Sequence, residues 1–115
     1  MKRAILAAVL ACAATPALAD GAGLFAQRCA GCHTVTAASS PGGPTLKGVV
    51  GRKIAGLGDF NYSAGLKAKG GTWTAASLGA FLTAPSTFAP GSKMFVSVPA
   101  PADRAALISY LSGLK

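Results

Sequence analysis

The chain opens on an unpatterned apolar run and becomes periodic only later. Residues 4–14, AILAAVLACAA, are apolar throughout, follow Lys2 and Arg3, and are too few to cross a bilayer. A positive start, a short apolar stretch and small residues at Ala17 and Ala19 are the signature of an export signal. Cleavage is predicted after Ala19, removing Cys12 with the signal, and residues 20–115 are read as one domain. Within that domain three segments carry helical spacing. Asp20 is placed to cap a helix running to about Gly31, with Leu24, Phe25, Cys29 and Cys32 on one side. Thr74 is placed to cap a second over Ala75–Thr83, which Pro85 stops. Pro101 and Asp103 open a third over Ala102–Ser112, with Leu107, Ile108, Leu111 and Leu114 as its apolar stripe and Gly113 at its end. A short helical turn is expected near Ser63–Lys69. The stretches between are rich in Gly and Pro, as in SSPGG at 39–43, and no convincing strand alternation is found.

This pattern leaves little apolar surface for a core. A domain below about 100 residues with so much irregular backbone needs something additional to fold around. Charge narrows the choice of partner. Without Lys2 and Arg3, nine basic residues face Asp20, Asp59 and Asp103, a formal +6. That excess suits an acidic partner or an anionic surface. The basic residues are scattered and not interleaved with aromatics, so nucleic acid is not the expected ligand. No second apolar run is long enough for a membrane span, and with the export signal the product is expected to be soluble and periplasmic; it is also expected to be a monomer.

The chemistry is concentrated in CAGCH, Cys29–His33. Structural zinc wants four ligands, and His33 is the only histidine of the chain. A thioredoxin-like redox disulfide belongs in a βαβ setting that this sequence does not offer. Cys-x-x-Cys-His is also the attachment motif for haem c. Cysteines three apart sit on neighbouring helical turns and present both sulfurs to one side, where each can form a thioether with a haem vinyl group. His33 then offers an imidazole nitrogen to the iron. For the opposite face, Met94 is the only methionine remaining once Met1 is removed, and its thioether suits haem iron better than Lys93 does.

Residues spread along the whole of 20–115 resemble those of class I cytochrome c, the group holding the mitochondrial carrier and its bacterial periplasmic relatives. Gly21, Phe25 and CAGCH match the first helix of that family, and Gly43-Pro44-x-Leu46-x-Gly48 with Gly51-Arg52-Lys53 matches the loop beneath the histidine. Phe60-x-Tyr62-Ser63, Trp73, Pro85, Pro90-Gly91-Ser92-Lys93-Met94 and Leu107-Ile108-x-Tyr110-Leu111 follow in order. The resemblance implies an all-α fold of three to five helices and long loops wrapped around one covalent haem. It implies that the Pro44 carbonyl fixes the second nitrogen of His33. It places Arg52, Tyr62 and Trp73 around one haem propionate and Ser92 near the other. Gly21, Phe25, Leu107 and Tyr110 would form the crossing of the first and last helices. Two positions depart from the family: Phe81 stands where a tyrosine usually touches the methionine, and Leu66 where an asparagine is usual. The lysine ring is thin, with Arg28, Lys47 and Lys93 fitting it and Ser86 and Thr87 replacing usual lysines.

The function these residues imply is a one-electron carrier, not an enzyme, docking briefly on membrane-bound oxidases or reductases through the basic surface around the haem edge. Two other readings stay open from the sequence: a haem c peroxidase or ligand sensor with a labile Met94, and a dedicated electron-accepting subunit of one dehydrogenase.

Overall fold

The computed structural model describes residues Asp20–Lys115. The predicted export segment, with Lys2, Arg3, Cys12 and the cleavage site, lies outside the described residues. Five helices follow one another: α1 (Gly21–Arg28), α2 (Ala64–Lys69), α3 (Ala75–Thr83), α4 (Pro85–Phe88) and α5 (Pro101–Ser112). Among the described residues there are no strands, only isolated bridges between Ser40 and Gly43 and between Lys53 and Thr72. None of these helices is long and apolar enough to cross a membrane.

Local chemistry sets the helix ends. The Asp20 carboxylate accepts from the Ala22 N–H at 3.1 Å. Thr74 and Ser77 form a reciprocal capping box: the Ser77 N–H donates to Thr74 Oγ1 at 3.1 Å, and the Thr74 N–H donates to Ser77 Oγ at 2.8 Å. Ser63 caps α2, which is the short turn expected from the sequence. Pro85 does end α3, because the residue before a proline is driven out of the helical region, and Ala84 sits at φ −154°, ψ 86°. The same proline then starts the unexpected α4 as its first residue, where its missing N–H costs nothing. Gly113 closes α5 at φ −82°, so the left-handed freedom of glycine is not used there.

Helices this short are marginal alone and depend on packing. α1 and α5 cross where Gly21 leaves no room for a side chain: a Cβ there would stand 2.3 Å from the Ala106 carbonyl oxygen and 2.8 Å from Tyr110 Cβ. One turn on, the Phe25 and Tyr110 rings pack at 5.4 Å. Phe25, Val49, Ile54, Trp73, Leu78, Phe81, Leu82, Val98, Leu107 and Leu111 form the buried cluster, each large side chain contributing about 1.5–3 kcal/mol by burial. Trp73, Phe81 and Phe88 form a triangular cluster with all three centroid separations at 5.3–5.7 Å, Trp73 stacked on Phe88 and Phe81 edge-on to Phe88, and Lys69 Nζ lies 4.2 Å over the Phe88 ring. The segment before α5 is strapped down: the Val98 N–H donates to the Leu82 carbonyl at 2.7 Å, and Arg104 donates to the Val98 and Pro99 carbonyls.

Candidate functional site

CAGCH begins at the last turn of α1. The regular helix ends at Arg28, three residues before the expected end. Beyond it the amides share acceptors. Cys29 and Ala30 both donate to the Phe25 carbonyl (2.8 and 2.9 Å), and Cys32 and His33 both donate to the Cys29 carbonyl (3.0 and 2.9 Å). Shared acceptors are usual where a helix frays, and Gly31 is a poor helix former. The motif therefore makes one further compact turn in place of the expected regular helix. Cys29 is half-buried and Cys32 exposed, and their sulfurs are not joined to each other.

His33 is oriented from the loop below it. Its Nδ1 lies 2.8 Å from the Pro44 carbonyl oxygen, which fixes Nδ1 as the protonated nitrogen and leaves Nε2 free. Burial pushes the His33 pKa down, the Pro44 hydrogen bond works the other way, and the Arg52 charge adds to the lowering. Burial likewise pushes the Cys29 thiol up, against the pull of Arg28. Gly43 makes the approach possible, since a Cβ there would stand 2.8 Å from the imidazole.

A cavity of about 290 Å³ opens beside this turn. Cys29, Cys32, His33 and Pro44 line one part of it. Leu66, Trp73, Phe81, Leu82, Leu107 and Leu111 supply apolar wall, and the loop carrying Ser92–Val96 completes it. Met94, half-buried, is placed there by Ser92: the Met94 N–H donates to Ser92 Oγ at 3.1 Å, and that hydroxyl donates back to the Met94 carbonyl at 3.3 Å. Gly91, at φ 79°, makes the turn that a side chain would strain. The Lys93 ammonium is engaged elsewhere, donating to the Asn61 carbonyl at 2.9 Å, which leaves Met94 the freer of the two ligand candidates.

Arg52, Tyr62 and Trp73 also converge on the cavity. The Arg52 guanidinium donates to the Thr45 carbonyl at 2.8 Å and the Lys47 carbonyl at 3.3 Å, while its Nε is buried without a partner. Burial works against its charge, with Tyr62 and Asp59 partly offsetting this. A buried donor without an acceptor costs about 1–3 kcal/mol, so an acidic group entering the cavity would find a partner waiting. An apolar cleft with two thiols, an oriented imidazole, a thioether and one unsatisfied cationic donor fits a haem with its carboxylate side chains.

The residues expected to form a basic rim are not equally free. Arg28 lies 3.7 Å from Asp103, Lys93 is held by Asn61, and Lys47 is exposed. Phe95 is 87 % exposed and with Val96 edges the cavity. Neither was singled out from the sequence, where their only signal is adjacency to Met94.

Comparison with known proteins agrees with this geometry. The profile of the family described as Cytochrome c matches residues 18–115. The chain is 44 % identical over 95 residues to a cytochrome c of Tetrahymena pyriformis, covering 82 % of this chain and 85 % of that one. It is 40 % identical over 93 residues to cytochrome c type-1 of Ascaris suum (80 % and 83 % covered). It is 41 % identical over 88 residues to cytochrome c2 of Rhodomicrobium vannielii (75 % and 70 % covered). With a family profile running through all the described residues, and relatives at this identity on both sides of the bacterial divide, the chain belongs to the cytochrome c family.

Proposed function

We propose that this haem c electron carrier would hold its cofactor through thioethers at Cys29 and Cys32, with His33 and Met94 as the residues that would ligate the iron. It works as a freely diffusing periplasmic shuttle between membrane-bound redox complexes. Membership of the family carries the coarser statement, a protein with one covalent haem c that transfers electrons and is not an enzyme. The single observation that supports the finer one is convergence: one apolar cavity gathers both cysteines of the motif, the only histidine and Met94.

The haem supplies a one-electron couple at its iron. The chain's residues set the conditions. Pro44 holds the imidazole in one tautomer and raises its basicity. Ser92 and Gly91 hold the loop that presents Met94. Phe81, Leu82, Leu107 and Leu111 keep water away, which favours the less charged ferrous state. Arg52, with Tyr62 and Trp73 beside it, offers a donor to a propionate. Lys47, Lys93 and the exposed Phe95 form the face a partner would meet, and weak charge steering would make exchange rates fall with added salt. Export to the periplasm rests on Lys2, Arg3 and the apolar run at 4–14, followed by removal of residues 1–19.

Redox titration of the purified protein with near-infrared spectroscopy tests the ligand set. The ferric protein is expected to show the weak sulfur-to-iron band, and Met94→Ala is expected to lose it and to bind carbon monoxide rapidly when reduced. An unchanged spectrum in Met94→Ala would remove Met94 from the site.

A further inference from the structure

The Pro44–Thr45 peptide group faces two ways. Its carbonyl lies 2.8 Å from His33 Nδ1. Its N–H, on Thr45, donates to Ser39 Oγ at 2.9 Å. The Ser39 hydroxyl donates onward to Asp59 Oδ1 at 2.7 Å, and the Ser39 N–H donates to Asp59 Oδ2 at 2.9 Å. Three hydrogen bonds and one peptide unit therefore join a surface carboxylate to the imidazole. We infer that Asp59 is a positioning residue that, acting through Ser39 and the Pro44–Thr45 peptide, sets the basicity of His33 and thereby the reduction potential.

Each link polarises the next in one direction. A hydroxyl that donates to a carboxylate has a more electron-rich oxygen and accepts more strongly. An amide N–H drawn toward that oxygen shifts amide resonance toward the carbonyl, which then accepts more strongly in turn. Such chains strengthen by about 10–30 % per bond. At the end, the His33 Nδ1–H is drawn further toward Pro44 and the ring becomes a more electron-rich ligand, which favours the ferric state and lowers the potential. The geometry is firm at the Asp59 end because both carboxylate oxygens are held by the same residue. At the other end Arg52 grips the next carbonyl, on Thr45, at 2.8 Å. Thr45 itself is buried, with its hydroxyl donating to Thr36.

The inference rests on His33 being an iron ligand, and the test separates the two. Spectroelectrochemical potentials would be measured for the haem protein and for Asp59→Asn, Ser39→Ala, the double variant and Ser39→Thr. Proton NMR would follow the His33 Nδ1–H and the Thr45 amide. Asp59→Asn removes the charge and keeps one of the two oxygens that accept from Ser39, the other becoming an amide NH2 that can only donate. It is expected to shift the ferric/ferrous ratio roughly twofold toward ferrous, about 18 mV upward for one electron. Ser39→Ala is expected to raise the potential as well, Ser39→Thr to stay near the parent, and Asp59→Asn to add little once Ser39 is gone. The His33 Nδ1–H resonance should move in step with the potential, and the Thr45 amide should exchange faster with solvent in Ser39→Ala. An equal Asp59→Asn shift with and without Ser39 would mean a field acting through space and would overturn the relay. So would an unchanged potential in every variant with the spectrum of the parent. A parent spectrum without histidine ligation would instead sink the ligand assignment, and this inference with it.

Discussion

Gly43→Ala probes how tightly the imidazole is seated. The backbone of Gly43 is not in the left-handed region, so the cost is steric. A new methyl would stand 2.8 Å from both Nδ1 and Cε1 of His33 and 2.9 Å from the Cys32 carbonyl oxygen. Relaxed contacts between such atoms are about 3.5–4.0 Å, so the ring must retreat by roughly 0.7 Å. That retreat carries Nδ1 toward the edge of hydrogen-bonding range from Pro44. Overpacking costs about 1–3 kcal/mol and the weakened hydrogen bond about 1 kcal/mol. The stiffer unfolded chain returns about 0.4–1 kcal/mol. The net is a loss of about 2 kcal/mol, which for a domain of this size lowers Tm by roughly 8–16 °C. A weaker Pro44 hydrogen bond also leaves the ring less basic, so the potential should rise. Thermal unfolding followed by far-UV circular dichroism, paired with redox titration, measures both. If Tm stays within about 2 °C of the parent and the potential does not move, the seating described for His33 is wrong.

Three further outcomes follow from other contacts. Gly65→Ala would place a Cβ 2.2 Å from the Pro90 carbonyl oxygen, pushing α2 off the loop that leads to Met94; the sulfur-to-iron band should disappear at lower temperature than in the parent. Thr74→Ala breaks the capping box and should cost about 1 kcal/mol, or roughly 4–8 °C in Tm, with no change in potential. Asp59 has its pKa held below the ordinary carboxylate value, chiefly by the Ser39 N–H and then by the Ser39 hydroxyl. Its ionised form is therefore favoured by folding. That contribution is complete above the unfolded-state pKa and is lost as pH falls through the lower folded value, so acid titration of Tm should be flatter for Asp59→Asn than for the parent.

Helix positions were legible wherever a local signal specified them. Thr74, Asp20, Pro85 and Pro101 mark ends through capping and proline geometry that act within a few residues, while the reciprocal contribution of Ser77 to the Thr74 cap emerged only in the fold. The end of α1 was not, because Gly31 and the shared acceptor at Phe25 loosen the turn without interrupting the apolar spacing. Of the residues gathered at the cavity, His33 and Met94 were readable by elimination, since a chain with one histidine offers few ligand sets, whereas Pro44, Arg52, Tyr62, Trp73 and Ser92 were legible only through resemblance to the family. The Asp59–Ser39 contact was invisible: it joins residues 20 apart, between two loops, and neither residue type at its position suggests a partner. The exposure of Phe95 was hidden for a related reason, since an aromatic next to an apolar run reads as core until the fold shows which way the loop turns.

Trp73 is the only tryptophan of the chain and forms part of the cavity wall. With a haem seated in that cavity as proposed, Trp73 emission in the folded holoprotein should be almost dark, through energy transfer to the porphyrin. Any loosening that carries the indole away should light it up. The molecule thus contains its own optical gauge of whether the pocket is closed, and no added dye is required to follow its opening in real time.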